Sequence, residues 1–272
     1  MRSLTCVRTE AEGRVGTITL DRPESHNAID HQMLADLHGA LDWAYERENL
    51  LALVVIGSGD TFCAGADLHA FMRGWEERAH RLPSEAAQEV FTTMTRLAQL
   101  VSRIRAFPYP VIAALNGAAV GGGFGLALAC DIRVASTRAR LGVGFIRMGA
   151  SGAAMGVSYF LPRLVGVSRA LELMTTGEIL SAQEAQALGL VNRVTDPEHL
   201  KAEAFSLGAK IASMPPMGLR ASKTAINLHL DATLDQALSH ENHLQTQCLL
   251  SQDHYEGMRA FLEKRPPQFR GV

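Results

Sequence analysis

The sequence predicts an α/β fold, and three observations predict it. Runs of strand character alternate with segments of helical period through roughly the first 200 residues. Two of those runs, Leu51–Ile56 and Val111–Leu115, are apolar at every position, which suits strands covered on both faces in a parallel sheet. Beyond Leu200 only helical patterns remain. The expected organisation is an α/β core over residues 1–200 and a helical region over 201–272.

The elements follow in chain order. Val15–Leu20 alternates and is β-branched, so it reads as a strand, ending in the turn Asp21-Arg22-Pro23-Glu24. Asp30 is placed to cap a helix reaching about Glu46, with Met33, Leu34, Leu37 and Leu41 at helical spacing. After Leu51–Ile56, Gly57-Ser58-Gly59 marks a turn, and Ala64-Gly65-Ala66-Asp67 leads into helical material. Arg73–Glu89 is charged without a clean period, an exposed helix and loop, before an amphipathic helix over roughly Ala86–Ile104. The strand Val111–Leu115 precedes a small-residue helix, Gly121–Ala129, and a further strand, Ile132–Ala135. Helices are expected over Lys201–Ser213, Pro216–Leu230, Leu234–Leu250 and His254–Glu263. Such a strandless appendage suits packing on another subunit.

Composition narrows the function classes. Hydrophobic residues at 47% and charged residues at 20% exclude a disordered chain. The 26 basic and 28 acidic side chains leave a net charge of −2, which supports neither nucleic-acid binding nor an anionic-membrane anchor. Cys6, Cys63, Cys130 and Cys248 are far apart and read as reduced, buried thiols of a cytoplasmic protein. The N-terminus, Met1-Arg2-Ser3-Leu4-Thr5, lacks the apolar core of a signal peptide. Ala106–Cys130 runs 25 residues without a charge, long enough for a bilayer. Two prolines and five glycines break it, so it reads as a buried strand, turn and helix with no membrane span.

Two small-residue segments carry the chemistry. Gly121-Gly122-Gly123-Phe124-Gly125 lies between a strand and a helix. Its spacing does not fit a dinucleotide fingerprint, and Arg140 and Arg147 stand where the acidic partner belongs. Glycines at a helix N-terminus leave N–H groups unhindered at a positive dipole end, which suits an oxyanion. They equally suit close packing of helix on sheet. Phe62-Cys63-Ala64-Gly65-Ala66-Asp67-Leu68 has the same character, and Asp67 is better placed as a helix N-cap than as an acid or base.

Together these segments resemble the crotonase (enoyl-CoA hydratase/isomerase) superfamily. The matching pieces are Leu20–Glu24 with Asn27-Ala28-Ile29, Phe62–Leu68, Pro110–Asp131, Leu161–Gly166, Ala185–Val194 and Glu256–Phe269, in family order along nearly the whole chain. The resemblance implies a spiral of ββα units with a C-terminal helical trimerisation region, giving a homotrimer or a dimer of trimers. It implies an acyl-CoA thioester as ligand, with coenzyme A entering as part of that ligand and no metal or redox cofactor. It places the two N–H donors to the thioester oxygen on Ala66 and Gly122, beside Gly121. It places coenzyme A contacts on the turn Arg22, Ser25, His26 and Ala28, and on Ala64, Asp67 and Leu68. A basic residue often follows the family's R-P-E; Ser25 stands there, leaving Arg22 and His26 as the cations for phosphate.

One departure matters for mechanism. The family's hydratases use two glutamates, and the corresponding positions hold Gly125 and Phe145, neither of which exchanges a proton. The position of an aspartate used by some relatives falls on Ala153 or Ala154. Candidate replacements are Asp67, Ser151, Ser158, Tyr159 and Arg147, the last sharing the side of Phe145 if the chain there is extended. Glu76, Glu77, Glu85 and Glu89 read as a solvated face over a segment able to cover an acyl tail, and His69 as an exposed helix residue. His240 and His243, with Glu241, lack a third positioned zinc ligand and suit a surface or subunit contact. The expected function is therefore a diverged lyase or isomerase working through a thioester enolate. A non-catalytic acyl-CoA binding protein is the alternative, and ordinary hydration ranks last.

Overall fold

The computed structural model describes residues 4–79 and 81–272; Met1–Ser3, part of the segment inspected for a leader, lie outside them. The elements are β1 (Val7–Glu12), β2 (Val15–Leu20), α1 (His31–Tyr45), β3 (Ala52–Gly57), β4 (Thr61–Cys63), α2 (Leu68–Arg78), α3 (Pro83–Ala106), β5 (Val111–Leu115), β6 (Ala118–Val120), α4 (Gly122–Ala129), β7 (Ile132–Ser136) and β8 (Arg140–Gly142). Then come α5 (Val157–Val165), α6 (Val167–Thr176), β9 (Ile179–Ser181), α7 (Ala182–Ala187), β10 (Arg193–Thr195), α8 (Leu200–Ala212), α9 (Pro216–His229), α10 (Leu234–Leu249) and α11 (Gln252–Leu262).

Two sheets form, a six-stranded one in the order β1-β2-β3-β5-β7-β10 and a four-stranded one in the order β4-β6-β8-β9. Among the described residues only the β1–β2 and β8–β9 pairs are antiparallel. Three successive units, β3-β4 with α2 and α3, β5-β6-α4 and β7-β8-α5, each send their first strand to the large sheet and their second to the small one. The chain thus winds as a spiral of ββα units, the architecture expected.

Burial explains the patterns. Every residue of β5 is buried, and all of β3 except Ile56, because helices or the second sheet cover both faces. Helix α8 lies across β2, β3, β5 and β7. It packs on the sheet through buried Leu200, Ala204 and Ala212. All eight residues of α4 are buried, as befits a helix apolar on every side. Gly123 is required there: a β-carbon on it would meet the Cys63 carbonyl oxygen at 2.0 Å. Buried Arg133 closes the other end of α4, donating to the Cys130 carbonyl at 2.8 Å and to the Leu190 carbonyl at 2.6 Å. Helix α9 docks through buried Lys223, whose Nζ reaches Asp131 Oδ2 at 2.6 Å and the Tyr109 carbonyl at 2.9 Å. Burial pulls the Lys223 pKa down while Asp131 pulls it up, and burial prevails.

The uncharged stretch Ala106–Cys130 becomes β5, β6 and α4, and no helix among the described residues is long and apolar enough to cross a membrane. Of the cysteines, Cys6, Cys63 and Cys130 are buried as expected, but Cys248 is only half-buried. Burial pushes the Cys63 and Cys130 thiols up to about 12, so both are inert packing groups.

Candidate active site

The three segments singled out in the sequence meet. Residues 26–29 and 64–67 run side by side as a short bridge. The Ala64 N–H donates to the His26 carbonyl at 3.0 Å, the Ile29 N–H to the Gly65 carbonyl at 2.7 Å, and the Asp67 N–H to the Ile29 carbonyl at 3.1 Å. Gly65, at φ +98, turns the chain against the N-terminus of α4, where a β-carbon on it would meet the Val120 carbonyl oxygen at 2.7 Å and Gly122 N at 3.1 Å. The Ala66 and Gly122 N–H groups flank this contact. Neither donates a hydrogen bond to any described residue. The Gly121 N–H, by contrast, is used up on the Gly142 carbonyl at 3.0 Å.

Arg22 ties the turn to the starts of two helices. Its guanidinium pairs with Asp30 at 2.9 Å and with Asp67 at 3.2 Å, and it also donates to the Ala28 carbonyl at 3.0 Å. Each of those aspartates caps a helix: Asp30 accepts from Met33 N at 2.7 Å and Asp67 from Ala70 N at 3.0 Å. The Ala70 N–H, joined by Arg22, holds the Asp67 carboxyl below its ordinary range, so Asp67 is a structural anion rather than a proton donor. Two carboxylates, Asp30 and Asp67, already pair with the Arg22 guanidinium. His26 is exposed, with Nδ1 3.4 Å from Thr61 Oγ1, and Leu68 opens α2 on the surface. Ser25 is half-buried beneath Arg22, its Oγ 3.4 Å from Nη2.

Asn27 was not singled out beyond its place in a motif, yet it locks this turn. It is fully buried at φ +54. Its Oδ1 accepts from Arg22 N at 2.9 Å, and its Nδ2 donates to the carbonyls of Thr61 at 2.7 Å and Ser58 at 3.0 Å.

The far wall is apolar. A β-carbon on Gly125 would lie 2.6 Å from Met155 Cβ, and one on Gly122 would lie 3.3 Å from Met155 Sδ and 3.5 Å from Ile29 Cδ1. Half-buried Phe145 turns its ring edge to Gly121, with Cε1 3.4 Å from where a β-carbon there would stand. Residues Phe145–Met148 form a 3-10 turn, so the chain is not extended and Arg147 does not share the side of Phe145. Arg147 instead covers Gly177.

The remaining candidates also find other work. Tyr159 donates to Asp231 at 3.2 Å, with Arg163 stacked 3.7 Å over its ring. Ser151 Oγ accepts from Ala153 N at 3.0 Å, and Ser158 is exposed. Glu89 joins α2 to α3 through Arg78 and Arg81, while Glu76, Glu77, Glu85 and His69 face solvent. Between α2 and α3 lies an apolar groove of about 620 Å³ lined by Phe71, Trp75, Val90, Phe91 and Met94. His240 faces His229 at 3.1 Å and His243 its own Ser239 carbonyl at 2.8 Å, so the pair does not converge on a metal.

The chain is similar to known proteins in sequence and fold. The family profile described as enoyl-CoA hydratase/isomerase matches residues 10–272. A crotonyl-CoA hydratase of Syntrophomonas wolfei is 36% identical over 261 residues, covering 96% of each chain. A short-chain-enoyl-CoA hydratase of Clostridium acetobutylicum is 34% identical over 257 residues, covering 94% of each. The crystal structure of an enoyl-CoA hydratase from Bacillus anthracis superimposes with a TM-score of 0.90 at 34% identity, covering 98% of this chain and all of that one.

Proposed function

Because the chain belongs to the enoyl-CoA hydratase/isomerase family, we propose that it binds an acyl-CoA thioester and acts on it as a lyase or isomerase through an enolate, without ordinary hydration. One observation carries the proposal: the N–H groups of Ala66 and Gly122 donate to no described residue, while Met155 packs over Gly122 and Gly125 and Phe145 over Gly121. A fixed donor pair of this kind is worth about 3 kcal/mol per donor to a developing oxyanion. Hydration additionally needs a base for water and an acid for the α-carbon. Gly125 and Phe145 supply neither at the positions where the family's hydratases carry glutamates, and Met155 occupies the room that a side chain at 125 needs. Isomerisation, decarboxylation and C–C cleavage share the enolate and differ in the groups that move the proton. The groove between α2 and α3 starts within two turns of Ala66 and suits an acyl tail.

A second reading, a non-catalytic acyl-CoA binding protein, is favoured by the fate of Asp67. The ionisable group nearest a donor in sequence is committed to a helix cap and an ion pair. A homotrimer or dimer of trimers fits the apolar residues left on the C-terminal helices: Leu234, Leu250, Phe261 and Leu262 are all more than 70% exposed in the single chain.

The test is thermal shift against a panel of acyl-CoAs, followed by α-hydrogen exchange in deuterated water and by crotonyl-CoA turnover. Expected are stabilisation by acyl-CoA, α-exchange and no hydration. No stabilisation by any acyl-CoA overturns both readings. Efficient crotonyl-CoA hydration overturns the departure from hydratase chemistry. Binding without exchange selects the non-catalytic reading.

A further inference from the structure

We infer that Met155 is a specificity-determining residue: its thioether closes the acyl end of the site and sets how much bulk is accepted next to the thioester. The inference rests on the acyl-CoA reading above. Three observations support it. Met155 is held at φ +48, a left-handed conformation that disfavours a side chain and persists only where its surroundings impose it. Its side chain runs along α4 toward the helix N-terminus, with Cβ over Gly125 and Sδ over Gly122. It is 8% exposed, so the thioether fills the space between these glycines and the loop before α5.

The consequence is geometric. A thioester oxygen held by the Ala66 and Gly122 N–H groups brings the first acyl carbons beside Met155 Sδ and Ile29 Cδ1. Straight chains slip past an unbranched, deformable thioether, whereas a ring or branch at the α-carbon meets it. Shortening the side chain at 155 removes that obstruction without touching the donors or the coenzyme A turn.

The experiment compares dissociation constants for butyryl-CoA, benzoyl-CoA and coenzyme A in the wild type, Met155→Gly and Met155→Leu. Glycine suits the local backbone, and leucine preserves the apolar volume. Met155→Gly is expected to shift the benzoyl-to-butyryl preference about tenfold toward benzoyl, the scale of pocket discrimination per carbon. Met155→Leu keeps the wild-type preference, and affinity for coenzyme A stays unchanged in both. A preference unmoved by Met155→Gly overturns the inference. If the wild type binds neither thioester, the acyl-CoA reading itself fails and the inference falls with it. Methyl-labelled methionine in the wild type gives a measurement independent of the glycine variant. The resonance assigned to Met155 by its loss in Met155→Leu shifts on adding butyryl-CoA and not on adding coenzyme A; a resonance blind to butyryl-CoA overturns the inference as well.

Discussion

Met155 and Gly125 exclude one another's side chains: a β-carbon on Gly125 would stand 2.6 Å from Met155 Cβ and 3.1 Å from the Met155 carbonyl oxygen. Gly125→Ala in the wild type is therefore an overpacking change, expected to cost about 1–3 kcal/mol. In a Met155→Gly background the closest contact is gone and the same change costs less. Chemical denaturation of the four proteins measures the coupling. Additive effects would show that α4 and the 155 loop do not contact as described. The same geometry means that Gly125→Glu with Phe145→Glu does not install a hydration pair unless Met155 is shortened too.

Asn27 is the next test, because the turn that bears Arg22, Ser25 and His26 hangs on its amide. Asn27→Ala leaves the Ser58 and Thr61 carbonyls and the Arg22 N–H without their partner, in a left-handed position that asparagine tolerates and alanine does not. A loss of about 3 kcal/mol is expected. Ser25→Ala, which removes only a 3.4 Å contact to Arg22, should cost less than about 0.5 kcal/mol. Equal losses in thermal melts would contradict the assignment of the turn's stability to Asn27.

Long elements were legible in the sequence because their patterns repeat. The all-apolar runs that became β3 and β5 and the capped period of α1 are readable from side chains alone. The strands β4, β6, β8 and β9 have three residues each, too few for any period to reveal the second sheet. Strand β1, VRTEAE, is largely exposed and polar, so no apolar pattern marks it. The oxyanion segments were visible because bare backbone needs small residues. What occupies the opposite wall was not. Met155 reaches Gly125 through a left-handed turn that it forms with Gly156, and no spacing in the chain encodes that contact. The ion pairs of Arg22 are hidden for a similar reason: its partners Asp30 and Asp67 lie 8 and 45 residues away, brought together by the fold.

Lys223 offers a test of how α9 is held to the core. Its ammonium is buried against Asp131 at 2.6 Å, while Arg105 reaches the other oxygen of that carboxylate at 2.9 Å. Lys223→Ala removes one half of a buried pair and opens a void, with an expected cost of about 3 kcal/mol. Lys223→Met keeps the stem's packing and should recover part of that loss. If methionine is no better than alanine in denaturant melts, the aliphatic stem contributes nothing to docking.

The C-terminal segment should respond to acid through Glu256. Arg265 grips its carboxylate with two bonds, 2.6 and 2.9 Å, and the Gln268 N–H adds a third at 2.9 Å. The Arg265 contact, then the Gln268 N–H, holds the carboxyl down at about 2 against an ordinary 4.5. A depressed carboxyl pKa means that the folded chain binds fewer protons than the unfolded one between those two values. Its stabilising contribution is therefore complete above 4.5 and is lost as pH falls through about 2. Carbon-detected NMR titration of the Glu256 carboxyl should give a midpoint near that lower value. In Glu256→Gln, amides of residues 265–270 should lose hydrogen-exchange protection already at neutral pH, where the wild type is fully paired. A wild-type midpoint at the ordinary carboxyl value would mean that Arg265 does not hold Glu256 in solution and that the tail is anchored instead by Asp253, which accepts from Arg270 N at 2.7 Å and Gly271 N at 2.8 Å.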